Sequence, residues 1–199
     1  MRVDLISDLG IPVHTGWYSR LVSPGMKTEL GFVVWPPDPI KTERLVLREP
    51  EARDRTALIE LLASPEVGTY IGGPQPRDEL ERAIPAAPRR RAGLFAVDLD
   101  GSMIGTVTLD EREVRPDIAP VELGYLFVPS SWGHGYATEA CSAALTWLSA
   151  ARPGTAVALT TQTANAASMR LATKLGFTEV ERYEAWGANQ WLGVWSPPA

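Results

Sequence analysis

The sequence predicts an α+β domain in which helices flank a mixed sheet. A hairpin is indicated at Asp100 and Gly101, because the alternating segments GLFAVDL and SMIGTVTLD flank this pair. Asp-Gly is favoured where a two-residue turn needs positive φ at both central positions. Strand, helix, strand and helix then alternate over residues 121–174. That order suggests a partly parallel segment after the antiparallel hairpin.

The elements before the hairpin begin at Glu43. ERLVLREP alternates as a strand does, and ARDRTALIELLAS repeats apolar residues at helical spacing. A short acidic helix begins near Asp78 and ends before Pro85. Residues 1–40 show no clear period and end in the breaker WPPDP, so we expect an N-terminal extension there.

The elements after the hairpin alternate between strands and helices. VELGYLFV predicts a strand, and GYATEACSAALTWLSA predicts a helix. AVALTTQT is the next strand, Asn165 caps the next helix, and Gly176 is its left-handed exit residue. FTEVERYEA and NQWLGVWS predict two closing strands. The apolar stripe of the first helix consists of Ala137, Cys141, Ala144, Leu145 and Leu148.

The composition restricts the class of function. A chain of 199 residues, 45% of them hydrophobic, can bury one core. Its net charge of -5 argues against a nucleic-acid partner, so the run Arg89, Arg90 and Arg91 is expected to be a solvated loop. One cysteine and two histidines predict neither a disulfide nor a metal site. Without a signal peptide or about 18 successive apolar residues, the protein is expected to be cytoplasmic, with no membrane partner.

The segment ELGYLFVPSSWGHGYATEA carries the main signal for a binding site. Its strand runs through Pro129 to Gly133, His134 and Gly135, where a helix begins. Glycines let main-chain N–H groups approach a ligand, and a helix N-terminus attracts negative charge, so this turn is predicted to hold a phosphate or pyrophosphate. A plain turn has similar glycines, and so does a dinucleotide fold. The dinucleotide fold needs an acidic residue about 20 positions on, where this chain has TTQT, which disfavours a nicotinamide cofactor.

Three segments, in order, resemble the GCN5-related N-acetyltransferases (GNAT), and within them the Rim-type branch that modifies ribosomal-protein N-termini. TERLVLRE is similar to the opening strand of that branch, ELGYLFVPSSWGHGYATEA to its acyl-CoA motif, and NAASMRLATKLGF to its second CoA motif. The resemblance covers about residues 42–195, so we assign 41–199 to an acyltransferase domain and 1–40 to an extension of unknown role. It implies a mostly antiparallel sheet of about seven strands, split between the strands that end near Val128 and Thr163.

The resemblance also implies that acetyl-CoA, or another acyl-CoA, is the co-substrate and that no metal is needed. The main chain of Phe127 and Val128 would pair with the pantetheine arm, and Asn165 and Ser168 would complete the site. The pyrophosphate would lie on the turn formed by Trp132, Gly133, His134, Gly135, Tyr136 and Ala137. Trp132 stands where the family has Gln or Arg. This difference matters little because the turn acts through backbone amides.

Acyl transfer to an amine needs a base for the amine and hydrogen-bond donors for the oxyanion and the departing sulfur. Glu122 is the candidate base, because it begins the strand that by resemblance receives the thioester; a surface carboxylate is the alternative. By resemblance, a strand amide near Val128 would hold the oxyanion. The family's acid is a tyrosine where this chain has Ala172. Ser168 is therefore the candidate donor to the sulfur, unless its hydroxyl only bonds the start of its helix.

Other polar and aromatic residues are expected to take no part in the proton transfers. His134 occupies the variable position of the turn and is not expected to be the base. Glu139 lies one turn into the helix and is expected to bond a neighbouring loop. The acceptor amine is expected to meet a wall at residues 72–75. The closing strands carry Tyr183, Glu184 and Trp186. Two roles are open for these residues: they pack in the core, or they contact the acceptor.

Three functions are compatible with these features. The first, favoured by the branch, is acylation of a protein or peptide N-terminus. The second is acylation of a small amine such as an amino acid, polyamine or antibiotic, to which the same fold can adapt through its loops. The third is a CoA-binding module without catalysis, which the absent tyrosine keeps open. The N-terminal extension contains four aromatic residues, Trp17, Tyr18, Phe32 and Trp35. The sequence leaves three roles open for them: they pack on the domain, cover the acceptor groove or join two subunits in a homodimer.

Overall fold

The computed structural model describes residues 34–87, 91–112 and 116–197. They form one eight-stranded sheet. Its strands are β1 Ile40–Lys41, β2 Val46–Arg48, β3 Leu94–Leu99, β4 Ser102–Glu111, β5 Val121–Phe127, β6 Val157–Gln162, β7 Thr178–Ala185 and β8 Ala188–Trp195. Their order in the sheet is β1-β2-β3-β4-β5-β6-β8-β7. The predicted α+β class is confirmed, and the two-residue β1 adds a strand to the expected number.

Helices cover both faces of the sheet. They are α1 Arg55–Ala63, α2 Pro65–Gly68, α3 Arg77–Ala83, α4 Tyr136–Ala151 and α5 Ala166–Leu175. Apolar residues of α4 and α5 pack with Val107 and Leu123 in the main core. Leu126 packs with α1, α2 and α3 on the other side. Because successive strand residues point to opposite faces, the central strands β4 and β5 contribute to both layers.

The turns and caps follow the local sequence rules. Asp100 and Gly101 have φ angles of 52° and 86°, which confirms the hairpin. Asn165 Oδ1 accepts a hydrogen bond from the N–H of Ser168 at 3.1 Å, and Gly176 ends α5 with a φ of 85°. The strand predicted from Glu43 is shorter than expected. Its first residues instead form a turn, closed by the Thr42 N–H donating to Leu45 O at 2.9 Å.

A buried ion cluster fixes the segment before α1 against the sheet. Arg48 on β2 donates to both carboxylate oxygens of Asp54, at 2.7 and 2.9 Å, and to Asp98 on β3 at 2.8 Å. Burial alone would raise the pKa of Asp54, but the hydrogen bonds and charge of Arg48 hold it below its ordinary value. The cluster thereby joins β2, β3 and the start of α1.

The end of the expected extension packs on the domain. Trp35 contacts Phe95 edge-on, with ring centroids 4.9 Å apart, and Trp147 with centroids 5.8 Å apart. Such aromatic pairs add to the energy of burial. Trp17, Tyr18 and Phe32 lie outside the described residues.

The parallel pair of strands separates along its length, as predicted. Neighbouring strands are antiparallel except β5 and β6, which pair only at Val121 with Val157 and at Glu122 with Ala158. Beyond these residues, β5 continues to pair with β4, and β6 continues to pair with β8. The sheet therefore opens between β5 and β6.

Candidate active site

A cleft of about 720 Å³ lies at the split in the sheet. The diverging parts of β5 and β6 form its walls, and the N-terminal ends of α4 and α5 lie beside it. Gly135 and Tyr136 line the cleft from α4, and Asn165 and Ser168 line it from α5. The two segments that resemble CoA motifs are therefore brought to one cleft.

The turn before α4 offers main-chain donors to this cleft. Gly133 and Gly135 have φ angles of 81° and 82°. A Cβ at Gly133 would meet nothing within 4 Å, so the positive φ, rather than crowding, favours glycine. Within the described part of the chain, no group accepts a hydrogen bond from the N–H groups of residues 133–138. Open donors at a helix N-terminus suit a phosphate group.

Arg44 and Glu139 connect this turn to the segment before β2. Glu139 accepts hydrogen bonds from Thr42 Oγ1 at 2.6 Å and from Arg44 N and Nε at 3.0 and 2.8 Å. Burial alone would raise the pKa of Glu139, but these bonds hold it below its ordinary value. The structural role expected for Glu139 is confirmed. His134 stacks its ring on Tyr136, with centroids 5.5 Å apart.

The main chain of Val128 is engaged within the protein. Its N–H donates to Ile104 O at 2.9 Å, and its carbonyl accepts from Ser131 Oγ at 2.7 Å. This corrects the expectation that the Val128 amide is open to a ligand. Because neighbouring residues of an antiparallel strand direct their main-chain groups to opposite sides, the N–H of Phe127 points towards the cleft. The Phe127 carbonyl accepts a hydrogen bond from Trp132 Nε1 at 2.8 Å.

Ser168 meets Tyr125, a residue that the sequence patterns did not single out. The Oγ atom of Ser168 lies 2.6 Å from the Tyr125 hydroxyl oxygen, and both residues line the cleft. The Ser168 hydroxyl is therefore not bonded to the start of its own helix, which Asn165 caps instead. Burial raises the pKa of Tyr125 far above its ordinary value, so its phenol stays protonated at neutral pH. Ala172, at the position of the family's tyrosine, is fully buried.

Glu122 lies on the face of the sheet away from α4 and α5. Its register partner on β4 is Asp110, and both carboxylates line the cleft. Asp110 is buried and pairs with Arg91. The prediction that Arg91 is solvated is therefore wrong, while Arg89 and Arg90 lie outside the described residues.

Tyr183, on β7, lies near Glu122. Burial raises the pKa of Tyr183, a hydrogen bond with Thr160 opposes this shift, and the charge of Glu122 adds to it. Glu184 is exposed on the same strand, and Trp186 is 59% exposed in the turn after it. Among these three expected acceptor contacts, only Tyr183 lies close to the candidate base. None of the three lines the cleft itself.

The chain between α2 and α3 forms another wall of the cleft. Tyr70 and Ile71 line it, and Gln162 Nε2 donates to Tyr70 O at 3.1 Å. This bond ties the wall to the end of β6. None of residues 72–75, where this wall was expected, lines the cleft. The lining residues of this segment all come before them: Glu66, Val67, Thr69, Tyr70 and Ile71.

Among the described residues, no group of three or more His, Cys, Asp and Glu side chains could hold a metal ion. None of the described helices is long and apolar enough to cross a membrane. Cys141 is buried on α4, and this burial raises the pKa of its thiol.

The chain is similar in sequence to known acetyltransferases. Residues 44–178 match the family model described as acetyltransferase (GNAT) domain. The chain is also 29% identical, over 153 residues, to the uncharacterized protein YkkB of Bacillus subtilis (strain 168), a match that covers 73% of this chain and 88% of YkkB.

Solved structures of acetyltransferases share its fold. A GNAT-family acetyltransferase from Bacillus anthracis matches with a TM-score of 0.66 and 22% identity, over 80% of this chain and 98% of that one. The ribosomal L7/L12 alpha-N-protein acetyltransferase RimL, in complex with coenzyme A, matches with a TM-score of 0.64 and 15% identity, over 80% and 98%. The aminoglycoside acetyltransferase AAC(6')-Ib, also in complex with coenzyme A, matches with a TM-score of 0.62 and 16% identity, over 76% of this chain and 94% of that one. Since the family model spans more than half of the chain, this protein belongs to the GNAT family of N-acetyltransferases.

Proposed function

We propose that this N-acetyltransferase moves the acetyl group of acetyl-CoA to the α-amine of a protein or peptide N-terminus, by direct attack in a ternary complex. The split between β5 and β6 carries the proposal. A donor can enter from the side of α4 and α5, while Glu122 faces the opposite side, from which an acceptor can approach. A peptide α-amine has an ordinary pKa of about 8, so a carboxylate base can assist its deprotonation.

The residues around the cleft fit coenzyme A. The open N–H groups of residues 133–138 suit its pyrophosphate. Asn165 and Ser168 line the cleft from α5, beside the path of the pantetheine arm in this arrangement. When bound, acetyl-CoA supplies a thioester whose sulfur can leave as a thiolate. RimL and AAC(6')-Ib, two proteins with this fold, were solved in complex with coenzyme A, which supports coenzyme A as the ligand.

Three groups of the protein take the three tasks of acyl transfer: deprotonation of the amine, stabilisation of the oxyanion and hydrogen bonding to the departing sulfur. Glu122 accepts the proton of the attacking amine, directly or through a water molecule. The N–H of Phe127 donates to the carbonyl oxygen as it gains negative charge, a role that Val128 cannot take because its N–H bonds Ile104. Ser168 donates a hydrogen bond to the departing sulfur. It lies on α5, the helix that also carries Ala172 at the position of the family's tyrosine.

The acceptor side of the cleft supports an extended acceptor. Tyr70 and Ile71 line the cleft, and Tyr183 lies near the candidate base Glu122. Glu184 and Trp186 lie farther out and are exposed. They would contact only an acceptor that extends beyond the cleft, as a peptide does.

A panel of acceptors tests the proposal. Release of free thiol from acetyl-CoA is measured with peptides that carry a free N-terminus, with the same peptides blocked at the N-terminus, and with small amines. We expect turnover with the free peptides only. Succinyl-CoA is included as a longer donor, and thermal stabilisation by acetyl-CoA reports binding independently of turnover. Turnover with small amines alone overturns the peptide assignment, and binding without any turnover indicates a CoA-binding module.

A small cationic amine is the second candidate acceptor. Glu66 and Glu122 both line the cleft, and its volume of about 720 Å³ is within the range of small-molecule sites. The TM-scores of RimL and AAC(6')-Ib, 0.64 and 0.62, do not separate the two acceptors. Trp186→Ala separates them: it should lower kcat/KM for peptides and leave that for small amines unchanged.

A further inference from the structure

We propose that Tyr125 is the residue that aims the Ser168 hydroxyl at the departing sulfur. The proposal rests on the function proposed above. It concerns the hydrogen bond to the departing sulfur, for which the family uses a tyrosine at the position of Ala172. Tyr125 lies on β5 and Ser168 on α5, 43 positions apart in sequence, and their hydroxyl oxygens are 2.6 Å apart. Both residues line the cleft.

Both side chains are held in place. Ser168 is buried, and its N–H is bonded to Asn165 Oδ1, which fixes the start of α5. Tyr125 packs against the main core between Leu123 and Phe127, two buried residues on the same face of β5. The contact therefore joins two rigid elements across the cleft, and neither side chain needs to move to form it.

The direction of the hydrogen bond determines what Ser168 can do. Each hydroxyl has one proton and can accept hydrogen bonds. When Tyr125 donates to Ser168 Oγ, the proton of Ser168 remains available for an acceptor in the cleft. Because burial raises the pKa of Tyr125, its phenol stays protonated and keeps this proton to donate. The same shift makes Tyr125 a poor direct acid, which favours action through Ser168.

No proton leaves Tyr125 in this scheme. The amine nitrogen forms the new C–N bond and loses its proton to Glu122. The C–S bond breaks, and its electron pair goes to the sulfur. The O–H of Ser168 stabilises the resulting thiolate by a charge-assisted hydrogen bond, and water protonates the thiolate as it leaves. Tyr125 is thus a positioning residue.

The test uses Tyr125→Phe, Ser168→Ala and the double variant of the full chain. Tyr125→Phe keeps the ring and removes only the hydroxyl. We expect each single change to lower kcat by about tenfold to a hundredfold, the range of a hydrogen bond to a charged group. In the Ser168→Ala background, Tyr125→Phe should change kcat by less than about twofold, because the two residues act as one unit.

Titration of bound CoA gives a readout that a purely structural role would not move. Thiolate absorbance of the CoA complex is followed against pH in each variant, with no acceptor present. Both single changes should raise the pKa of the bound thiol by about one unit, the equivalent of a tenfold change in equilibrium. The dissociation constant of desulfo-CoA, which has no sulfur, should not change. Ser149→Ala, on α4, is the matched serine control, since its hydroxyl donates only to Leu145 O.

The outcomes separate this proposal from the function on which it rests. Additive losses of kcat in the double variant, or an unchanged thiol pKa in Tyr125→Phe, overturn the role of Tyr125. Weaker binding of desulfo-CoA by Tyr125→Phe also overturns it, because the phenol would then only shape the pocket. If the wild-type protein binds CoA but acetylates no peptide, the acceptor assignment fails while the thiol titration still decides the role of Tyr125. If it binds no CoA, both proposals fail.

Discussion

Arg44 donates a hydrogen bond from Nη1 to the main-chain oxygen of His134 at 3.0 Å, and its guanidinium carbon lies 4.6 Å from the centre of the Tyr136 ring. The same side chain pairs with Glu139, on the first turns of α4. One arginine from the segment before β2 therefore holds both the turn and the helix that follows it. We therefore expect the shape of the proposed pyrophosphate site to depend on Arg44.

We expect Arg44→Ala to weaken acetyl-CoA binding by about threefold to tenfold, the range of one or two partly exposed hydrogen bonds, and to change kcat little. Isothermal titration with acetyl-CoA measures the change. Arg82→Ala is the control, because this exposed arginine pairs only within α3, with Asp78. An unchanged dissociation constant in Arg44→Ala would show that the turn keeps its shape without the arginine.

Gly135→Ala should reduce both stability and acetyl-CoA affinity. The left-handed conformation at a φ of 82° costs a residue with a Cβ about 1–2 kcal/mol. The nearest atom to an added Cβ is Arg44 Nη2 at 3.6 Å, so the effect is backbone strain rather than a clash. Relief of this strain would turn the amides away from the ligand.

Gly154→Ala is the matched control for Gly135→Ala. Gly154 also has a positive φ, of 77°, with nothing within 4 Å of an added Cβ, but it lies after the far end of α4. Thermal denaturation should show similar losses in both variants. Titration should show weaker acetyl-CoA binding only for Gly135→Ala. Equal affinities in the two variants would contradict a ligand at the turn.

Glu122→Gln should lower kcat by about a hundredfold or more, because the amide cannot take the proton of the attacking amine. Acetyl-CoA affinity should stay within about twofold of the wild-type value, since the carboxylate lies on the acceptor side of the sheet. Steady-state rates over about pH 6 to 9 and titration with acetyl-CoA measure the two effects. Glu60→Gln, at an exposed position of α1, is the control. A wild-type rate in Glu122→Gln would remove Glu122 as the base.

Local sequence rules predict the parts of the fold that a few adjacent residues determine. Asp100 and Gly101 specify a turn with positive φ, and Asn165 and Gly176 specify the two ends of α5. In each case the conformational preference of one residue type decides the structure, with little influence from distant residues. The split sheet was predicted from the family resemblance, which relates the order of whole segments to a fold.

Contacts between distant residues could not be predicted in this way. Arg44 and Glu139 are 95 positions apart, and Tyr125 and Ser168 are 43 apart. Arg91 belongs to a basic run that is typical of a solvated loop, yet its side chain is only 10% exposed and pairs with the buried Asp110. Which residues face each other depends on strand register and helix packing, and a single sequence does not specify these.

Asp54→Asn should destabilise the protein most clearly at neutral pH and should weaken its acid sensitivity. Because the pKa of Asp54 is lowered in the folded state, its contribution to stability is complete above the unfolded value, about 3.8, and is lost as the pH falls through the folded value. Removing its charge leaves Arg48 with Asp98 as its remaining buried partner. Breaking such a cluster costs about 3 kcal/mol.

Urea unfolding of the wild-type protein and Asp54→Asn, at several pH values from neutral to acid, measures both effects. The difference in unfolding free energy should be largest at neutral pH and should shrink as Asp54 becomes protonated in the wild-type protein. Asp78→Asn is the control, because its pair with Arg82 is exposed, and the change should stay within about 0.5 kcal/mol. A difference that is the same at every pH would mean that Asp54 contributes through its hydrogen bonds, which asparagine changes equally at all pH values, and not through its charge.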